Sequence, residues 1–238
     1  VLFRSIRVEA MRKDFVANAS HELRSPLTVI SGYLDALAED TQLEQTWQEP
    51  VREMRRQSER MRTLIEELLQ LSRLENSGEL VDAQTVDVAG LLALLRKDAL
   101  SLSGRPREIV LQIETEACLR GAETELQSVF ANLISNAVKY TPVDGKVAIR
   151  WWQDHLGAHL SVSDTGIGIA AEDLPRLTER FYRVDAGRSR DLGGFGLGLA
   201  IVKHALQRHD AHLTIESELG RGSAFTCHFP MERLVSRA

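Results

Sequence analysis

His21 is the residue of this sequence whose neighbours best suit covalent chemistry. It lies in an amphipathic helical pattern, with Glu22 directly after it and Pro26 soon after that. An exposed imidazole with a carboxylate beside it to take its proton is a competent phosphoryl acceptor near neutral pH. Taken alone, the same residues would also fit a surface histidine without a function. Phosphorylation of His21 therefore requires a phosphoryl donor that binds elsewhere in the chain.

Three polar side chains share one face of a predicted helix over residues 123–139. Asn132, Asn136 and Lys139 follow one another at steps of four and three residues, which aligns them along the helix. An amide oxygen suits Mg²⁺ and an ammonium group suits phosphate, so we expect Asn136 to bind the ion and Lys139 to contact phosphates. A polar, solvated helix face is the alternative for this motif alone.

Two glycine-containing loops could hold a nucleotide. Asp164 ends a predicted strand, and Gly166 and Gly168 let the next loop approach a ligand closely, so the carboxylate could accept from the exocyclic amine of adenine. A simple turn is the alternative there. The loop over residues 193–199 runs into an apolar helix over residues 200–206, and its end amides and the helix dipole favour phosphate. This second loop has neither the dinucleotide fingerprint nor a Walker motif.

Composition limits the functional class. The chain has 238 residues and a net charge of -5, which fits one or two globular domains without the basic excess of a nucleic-acid binder. Cys118 and Cys227 have no disulfide or metal spacing, so we expect small apolar residues in a reducing compartment. No run approaches the roughly 18 apolar residues that span a bilayer, so we expect a soluble, cytoplasmic fragment without membrane contact.

The elements that must position His21 are two amphipathic helices. Their apolar stripes are separated by a polar connection over residues 40–47, which predicts an antiparallel hairpin. Apolar flanks such as Leu64, Leu69 and Leu71 remain, so we expect two hairpins to pair into a dimeric four-helix bundle. The stripes are Phe15, Ala19, Leu23, Leu27, Ile30, Leu34 and Leu37, and Val51, Met54, Ser58, Met61, Ile65, Leu68 and Ser72.

The nucleotide motifs lie in a second module, where short strands alternate with helices. This pattern predicts an α/β sandwich with a mixed sheet. Residues 1–5 read like a translated sequencing adapter, so we expect them to lie outside the fold. The predicted divisions are a scar at 1–5, the helical hairpin at 6–76, a linker at 77–83, the ATP-binding domain at 84–232 and a tail at 233–238.

With its motifs in this order, the chain resembles the bacterial sensor histidine kinases from residue 9 to about residue 230. Residues 21–26 resemble the phosphoacceptor box, 132–140 the asparagine box, 164–169 and 194–198 the two glycine boxes, and 180–185 the phenylalanine box. The resemblance implies a Bergerat-type ATP-binding fold after the hairpin, with ATP and Mg²⁺ bound. The implied nucleotide contacts are Asn132, Asn136, Lys139, Tyr140, Asp164, Gly166, Gly168, Phe181, Arg183, Gly194, Gly196, Leu197 and Gly198.

The resemblance also implies a reaction and its partners. His21 would be autophosphorylated with Glu22 as proton acceptor, and the phosphoryl group would pass to the receiver domain of a response regulator. Ser25 stands where the family positions the water that dephosphorylates the regulator. Residues 175–185 and 196–205 look most like the phosphate-regulon sensors, which implies a regulator of that type and a parent protein in the inner membrane.

Two other functions remain open from the sequence. A chaperone-like or topoisomerase-like ATPase is opposed by Asn132, because enzymes of that kind place a glutamate there and an amide cannot activate water. A degenerate, dimeric ATP-binding scaffold is suggested by Phe195, which stands where the family usually has threonine or serine.

Overall fold

The structure is a computed structural model that describes residues 23, 27–39, 45–76, 83–102, 104, 106–184 and 194–236. The expected scar at 1–5 and most of the expected linker lie outside the described residues. So do His21, Glu22 and Ser25. The chain divides into two compact units, residues 1–76 with 193–195 and residues 77–192 with 196–238.

The first unit contains the predicted helical hairpin. Helix α1 comprises residues 27–39 and helix α2 comprises Gln45–Asn76, so α2 begins within the stretch expected to be the connection. The hydroxyls of Ser31 and Ser58 lie 2.7 Å apart, and Arg55 pairs with Asp35 at 2.8 Å. The residue further along α1 thus contacts the residue nearer the start of α2, so the two helices are antiparallel. This confirms the predicted hairpin.

The exposed apolar residues of the hairpin differ from those expected. Leu69 and Leu71 are already buried within the single chain. Exposed apolar residues of this unit lie on both helices and include Leu23, Val29, Ile30, Tyr33, Leu37, Trp47, Met54 and Met61. A hairpin of two helices cannot bury every apolar side chain of both helices. The spacing of apolar residues in the sequence does not show which of them the hairpin buries. No helix within the described ranges combines the length and apolarity needed to cross a membrane.

The second unit is the predicted α/β sandwich. In chain order its elements are β1 (Gln84–Val86), α3 (Val88–Ser101), β2 (Glu108–Ile113), β3 (Cys118–Gly121), α4 (Glu123–Tyr140), β4 (Lys146–Gln153), β5 (Gly157–Asp164), α5 (Gly198–Arg208), β6 (His212–Glu218), β7 (Gly222–Pro230) and β8 (Leu234–Val235). The main sheet has the order β2-β4-β5-β7-β6, and only β2 and β4 are parallel neighbours. It is therefore mixed, as expected.

Alternation along the strands sets the two faces of this sheet. Ala158, Leu160 and Val162 of β5 are fully buried, and the residues between them point to the other face. Trp151 on β4 is fully buried whereas Trp152 is half-buried, so only one of the adjacent tryptophans lies in the core. Both cysteines are buried and free, as their expected role as small apolar residues requires.

A second, three-stranded sheet has the order β1-β3-β8 and was only partly foreseen. Strand β3 was not predicted, and β8 lies in the stretch expected to be a tail. Cys118 pairs with Val235, and Leu119 pairs with Leu234. Such short strands depend on partners that are distant in sequence, so local patterns do not reveal them.

Candidate nucleotide-binding site

Asp164 is the last residue of β5, and its half-buried carboxylate is held by backbone amides. The N–H of Gly166 donates to Oδ1 at 2.8 Å, and the N–H of Ser223 also donates to the carboxylate. Burial raises the pKa of Asp164 above its usual range, and these two hydrogen bonds oppose that effect. The site thus contains an oriented acceptor that is partly removed from water.

The loop after Asp164 packs against the C-terminus of α4. The Ile167 N–H donates to the Tyr140 carbonyl at 3.3 Å. A Cβ at Gly166 would lie 2.4 Å from that carbonyl oxygen. Gly168 has a φ of 66°, and a Cβ there would lie 2.0 Å from the Glu218 carbonyl oxygen. Both glycines are therefore required for close packing between the loop and its neighbours.

Helix α4 presents the three polar side chains predicted to share one face. Asn132, Asn136 and Lys139 are each half-buried. The Asn132 amide donates to the Ser128 carbonyl one turn earlier, at 2.9 Å. The Lys139 ammonium lies 4.8 Å from the centroid of the Tyr140 ring, a cation–π distance.

Helix α5 begins beside Asn132. A Cβ at Gly198 would lie 2.4 Å from Oδ1 of Asn132, so glycine permits the two helices to approach at this point. Leu197 is fully buried and its carbonyl accepts from the Ile201 N–H at 2.9 Å, which begins the helical hydrogen bonding. Leu197 at the N-cap makes no side-chain capping bond, and the first amides of such a helix end can bind an anion.

Phe181 and Gly196 are linked across the segment that precedes α5. The Phe181 N–H donates to the Gly196 carbonyl at 2.9 Å, and both residues have a positive φ, of 63° and 72°. A Cβ at Gly196 would lie 2.6 Å from the Tyr182 carbonyl oxygen. Nearby, Nη2 of Arg183 is buried without a hydrogen-bond partner among the described residues. Such a cation suits an anionic ligand.

The structure therefore brings most of the residues predicted to contact the nucleotide into one region. Asp164 and Tyr140 meet through Gly166, and Asn132 meets Gly198. Gly194, four residues before α5 begins, is exposed. Within the described ranges, no group of three or more His, Cys, Asp or Glu side chains is arranged to hold a metal ion.

Ser217, Gly222 and Ser223 were missed by the sequence reasoning. Ser223 on β7 pairs directly with Asp164 of β5, and Ser217 on β6 pairs with Ser223 from the other side. A Cβ at Gly222 would lie 2.0 Å from the Asp164 carbonyl oxygen. The one available signal was the Gly-Arg-Gly-Ser turn between two predicted strands.

Family models match both units. Residues 11–77 match the model described as His Kinase A (phospho-acceptor) domain. Residues 121–233 match the model described as histidine kinase-, DNA gyrase B-, and HSP90-like ATPase. The two matches follow the order expected from the motifs.

Curated relatives extend over nearly the whole chain. Phosphate regulon sensor protein PhoR of Pseudomonas aeruginosa is 54% identical over 94% of this chain and 51% of its own length. The protein of the same name from Haemophilus influenzae is 38% identical over 95% of this chain and 53% of its own length. The chain spans about half the length of these relatives.

Solved structures agree with the fold. Full-length ShkA in complex with AMPPNP has a TM-score of 0.78 and 27% identity, covering 94% of this chain and 46% of that one. The histidine kinase AdeS of Acinetobacter baumannii has a TM-score of 0.62 and 24% identity, covering 90% of this chain and 98% of that one. At that identity, the second likeness concerns the fold alone.

Proposed function

The chain belongs to the sensor histidine kinases, and on that premise we propose that it phosphorylates its own His21 with ATP and then transfers the phosphoryl group to a response regulator. The observation that carries this proposal is the Asp164 carboxylate, half-buried and oriented by two backbone amides in the ATPase-like domain. The same chain contains a phosphoacceptor domain, so donor site and acceptor are both present.

The polar groups of the site match the parts of ATP. Asp164 accepts a hydrogen bond from the exocyclic amine of adenine. Lys139, Arg183 and the first amides of α5 meet the phosphates. Asn136 would hold Mg²⁺ through its amide oxygen, a hard donor of the kind that this ion prefers. When bound, Mg²⁺ neutralises charge on the phosphates.

The chemical step follows from a positioned imidazole. A ring nitrogen of His21 forms a bond to the γ-phosphorus, the bond to the oxygen that bridges the β- and γ-phosphates breaks, and ADP leaves. Glu22 takes the proton that the imidazole loses. The bond between the phosphorus and the imidazole nitrogen then breaks as an aspartate carboxylate of the regulator takes the phosphoryl group, and Glu22 returns the proton to His21.

The partners are a second copy and a receiver domain. The exposed apolar residues on both helices of the hairpin support pairing of two copies, since water would otherwise contact Ile30, Tyr33 and Met54. The names of both PhoR relatives support a regulator of the phosphate-regulon type. We place the parent protein in the inner membrane with this part facing the cytoplasm.

Ser25 supports a second activity toward the regulator. Its hydroxyl lies four residues after His21 in sequence and can orient a water toward the aspartyl phosphate. Ser25→Ala should therefore slow dephosphorylation of the purified phospho-regulator in the presence of ADP, while autophosphorylation stays nearly unchanged. Ser25→Thr, which keeps the hydroxyl, should retain this activity. Equal decay with Ser25→Ala and the parent chain would remove Ser25 from this role.

Incubation with ATP labelled at the γ-phosphate tests the main proposal. A kinase gives acid-labile label on the protein, a hydrolytic ATPase gives steady release of labelled phosphate, and a scaffold gives neither. His21→Gln should abolish labelling while ATP binding persists. His155→Gln, which changes an exposed histidine of the second unit, should leave labelling intact. Label that survives His21→Gln would overturn the assignment of the acceptor.

Asn136→Asp tests the role given to the metal ligand. The substitution keeps an oxygen ligand but adds negative charge beside the phosphates and changes the ligand geometry. We expect weaker binding of Mg-ATP and slower autophosphorylation. Unchanged affinity and rate would contradict the role of Asn136.

A further inference from the structure

Ser217 stands at the centre of a hydrogen-bonded group at the edge of the proposed adenine site. Its Oγ lies 2.8 Å from the Ile169 N–H, 2.9 Å from the Gly222 carbonyl oxygen and 2.9 Å from Oγ of Ser223. A serine hydroxyl offers one proton and two lone pairs, so three partners use its full capacity. The direction of each hydrogen bond follows from this count.

The proton of Ser217 goes to the Gly222 carbonyl, because a carbonyl can only accept. The Ile169 amide can only donate, so it takes one lone pair of Ser217. The second lone pair remains for Ser223, whose hydroxyl must then donate its proton to Ser217. The oxygen of Ser223 is left with lone pairs alone for any other neighbour.

This arrangement lies in a row that ends at Asp164. Ser217 pairs with Ser223 across β6 and β7, and Ser223 pairs with Asp164 across β7 and β5. Directly opposed residues of neighbouring strands point to the same face, which here is the face of Leu160 and Val162 in the core. Asp164 and Ser223 therefore present hydrogen-bond acceptors side by side.

We infer that Ser217 is a positioning residue that makes the nucleotide site selective for a 6-aminopurine over a 6-oxopurine. The inference rests on the proposed function, since it concerns the base of the nucleotide that Asp164 binds. An exocyclic amine donates to a row of acceptors, whereas the carbonyl of guanine would face the carboxylate and the lone pairs without a proton between them. Ser217 acts through Ser223 and need not touch the nucleotide.

Ser217 also connects the two segments that surround Asp164. Through Ile169 it holds the loop that follows Asp164, and the Gly220 N–H donates to the Ile167 carbonyl of that loop at 2.8 Å. Loss of the hydroxyl should therefore loosen the loop and free the Ser223 proton to turn toward the base. The looser loop weakens ATP binding. The freed Ser223 proton can donate to the carbonyl of guanine and so allows that base to bind.

The test compares the dissociation constants of ATP and GTP by titration calorimetry, together with the KM and kcat of autophosphorylation. Ser217→Ala should raise the KM for ATP about tenfold with kcat nearly unchanged, and reduce the preference for ATP over GTP about tenfold. Ser217→Thr keeps the hydroxyl and should restore both. Ser161→Ala is the matched control, because that serine lies on the opposite face of β5 and bonds Thr226.

The outcomes separate this inference from the proposed function. Suppose that the parent chain prefers ATP over GTP. If Ser217→Ala keeps that preference, or weakens the binding of both nucleotides equally, only the inference about Ser217 is overturned. A parent chain that binds neither nucleotide would overturn the proposed function and the inference together. If Ser217→Ala does not fold, Ser217→Cys serves for the same comparison, because a thiol of similar shape is a weak hydrogen-bonding group.

Discussion

Nδ1 of His159 lies 2.9 Å from Nδ1 of His228, and the two residues are cross-strand partners on β5 and β7. Only one proton fits between two nitrogens at this distance. The outer nitrogens also have neighbours: Oδ1 of Asp154 lies 3.1 Å from Nε2 of His159, and Oγ1 of Thr214 lies 2.8 Å from Nε2 of His228. The ring of His212 stacks on His228 at 4.7 Å. Two positively charged rings at this distance would repel each other.

Stability should therefore fall on acidification through His228. Burial, followed by the nearby His212 and His159, lowers the pKa of His228, while Asp154 acts against this shift. The unfolded chain thus takes up a proton more readily than the folded one, so the contribution is complete above about pH 6.5 and is lost as the pH falls below that value. Between about pH 7.5 and pH 5.5, the thermal unfolding temperature of His228→Gln should therefore depend less on pH than that of the parent chain.

The exposed His155 provides the control for this measurement. His155→Gln should retain the pH dependence of the parent chain. Parallel curves for His228→Gln and the parent would show that the His159–His228 pair does not contribute.

His209 connects the ends of two helices. It is buried, its Nε2 accepts from the Ala122 N–H at 3.1 Å, and its Nδ1 lies 2.7 Å from the Ala205 carbonyl oxygen. The N-cap residue Ala122 has no side chain that can cap α4, and its own amide is satisfied by the His209 imidazole. His209→Ala should reduce the free energy of unfolding by about 2 to 3 kcal/mol in urea titrations, because it leaves a cavity and an unpaired donor. Gln207→Ala, at an exposed position of α5, should cost much less.

Asp164→Asn should separate binding from stability. The amide keeps an acceptor for the Gly166 N–H but replaces a carboxylate whose pKa is raised by burial. Since that carboxylate is harder to ionise in the folded chain, its charge opposes folding at neutral pH, and the variant should unfold at the same temperature or higher. ATP affinity should fall by about tenfold or more. A loss of both stability and affinity would indicate a structural role instead.

Gly198→Ala tests the contact between α5 and Asn132. The new Cβ would lie 2.4 Å from Oδ1 of Asn132, which is too close. The Asn132 side chain would therefore have to move, although its amide nitrogen donates to the Ser128 carbonyl in its present position. We expect weaker ATP binding by calorimetry with little loss of helix content. Gly32→Ala is the control, because among the described residues a Cβ there would meet no atom within 4 Å apart from its chain neighbours and its own helix backbone. Alanine also favours a helix over glycine by about 1 kcal/mol. Equal ATP affinity in both variants would argue against a role for Gly198.

Local patterns in the sequence determined the helices and the principal strands. The apolar run over residues 108–113 predicts a strand, and β2 has those bounds. Helix α4 extends one residue beyond its predicted end at 139. Periodicity of apolar residues is sufficient here because each element buries one side, and the spacing repeats every turn or every second residue. The polar face of α4 followed from the same periodicity, which is why Asn132, Asn136 and Lys139 could be grouped by their spacing alone.

Tertiary structure alone decided the contacts between residues far apart in the chain. The bond from Ala122 to His209, the pairing of β8 with β3, and the row from Ser217 to Asp164 each join segments that no local pattern relates. Packing likewise decided which apolar residues of the hairpin stay exposed to water. By itself, the sequence determined which residue types could perform phosphoryl transfer and on which elements they lie. The tertiary structure determined the hydrogen-bond partners of these residues, because the partners depend on which strands pair and in which register.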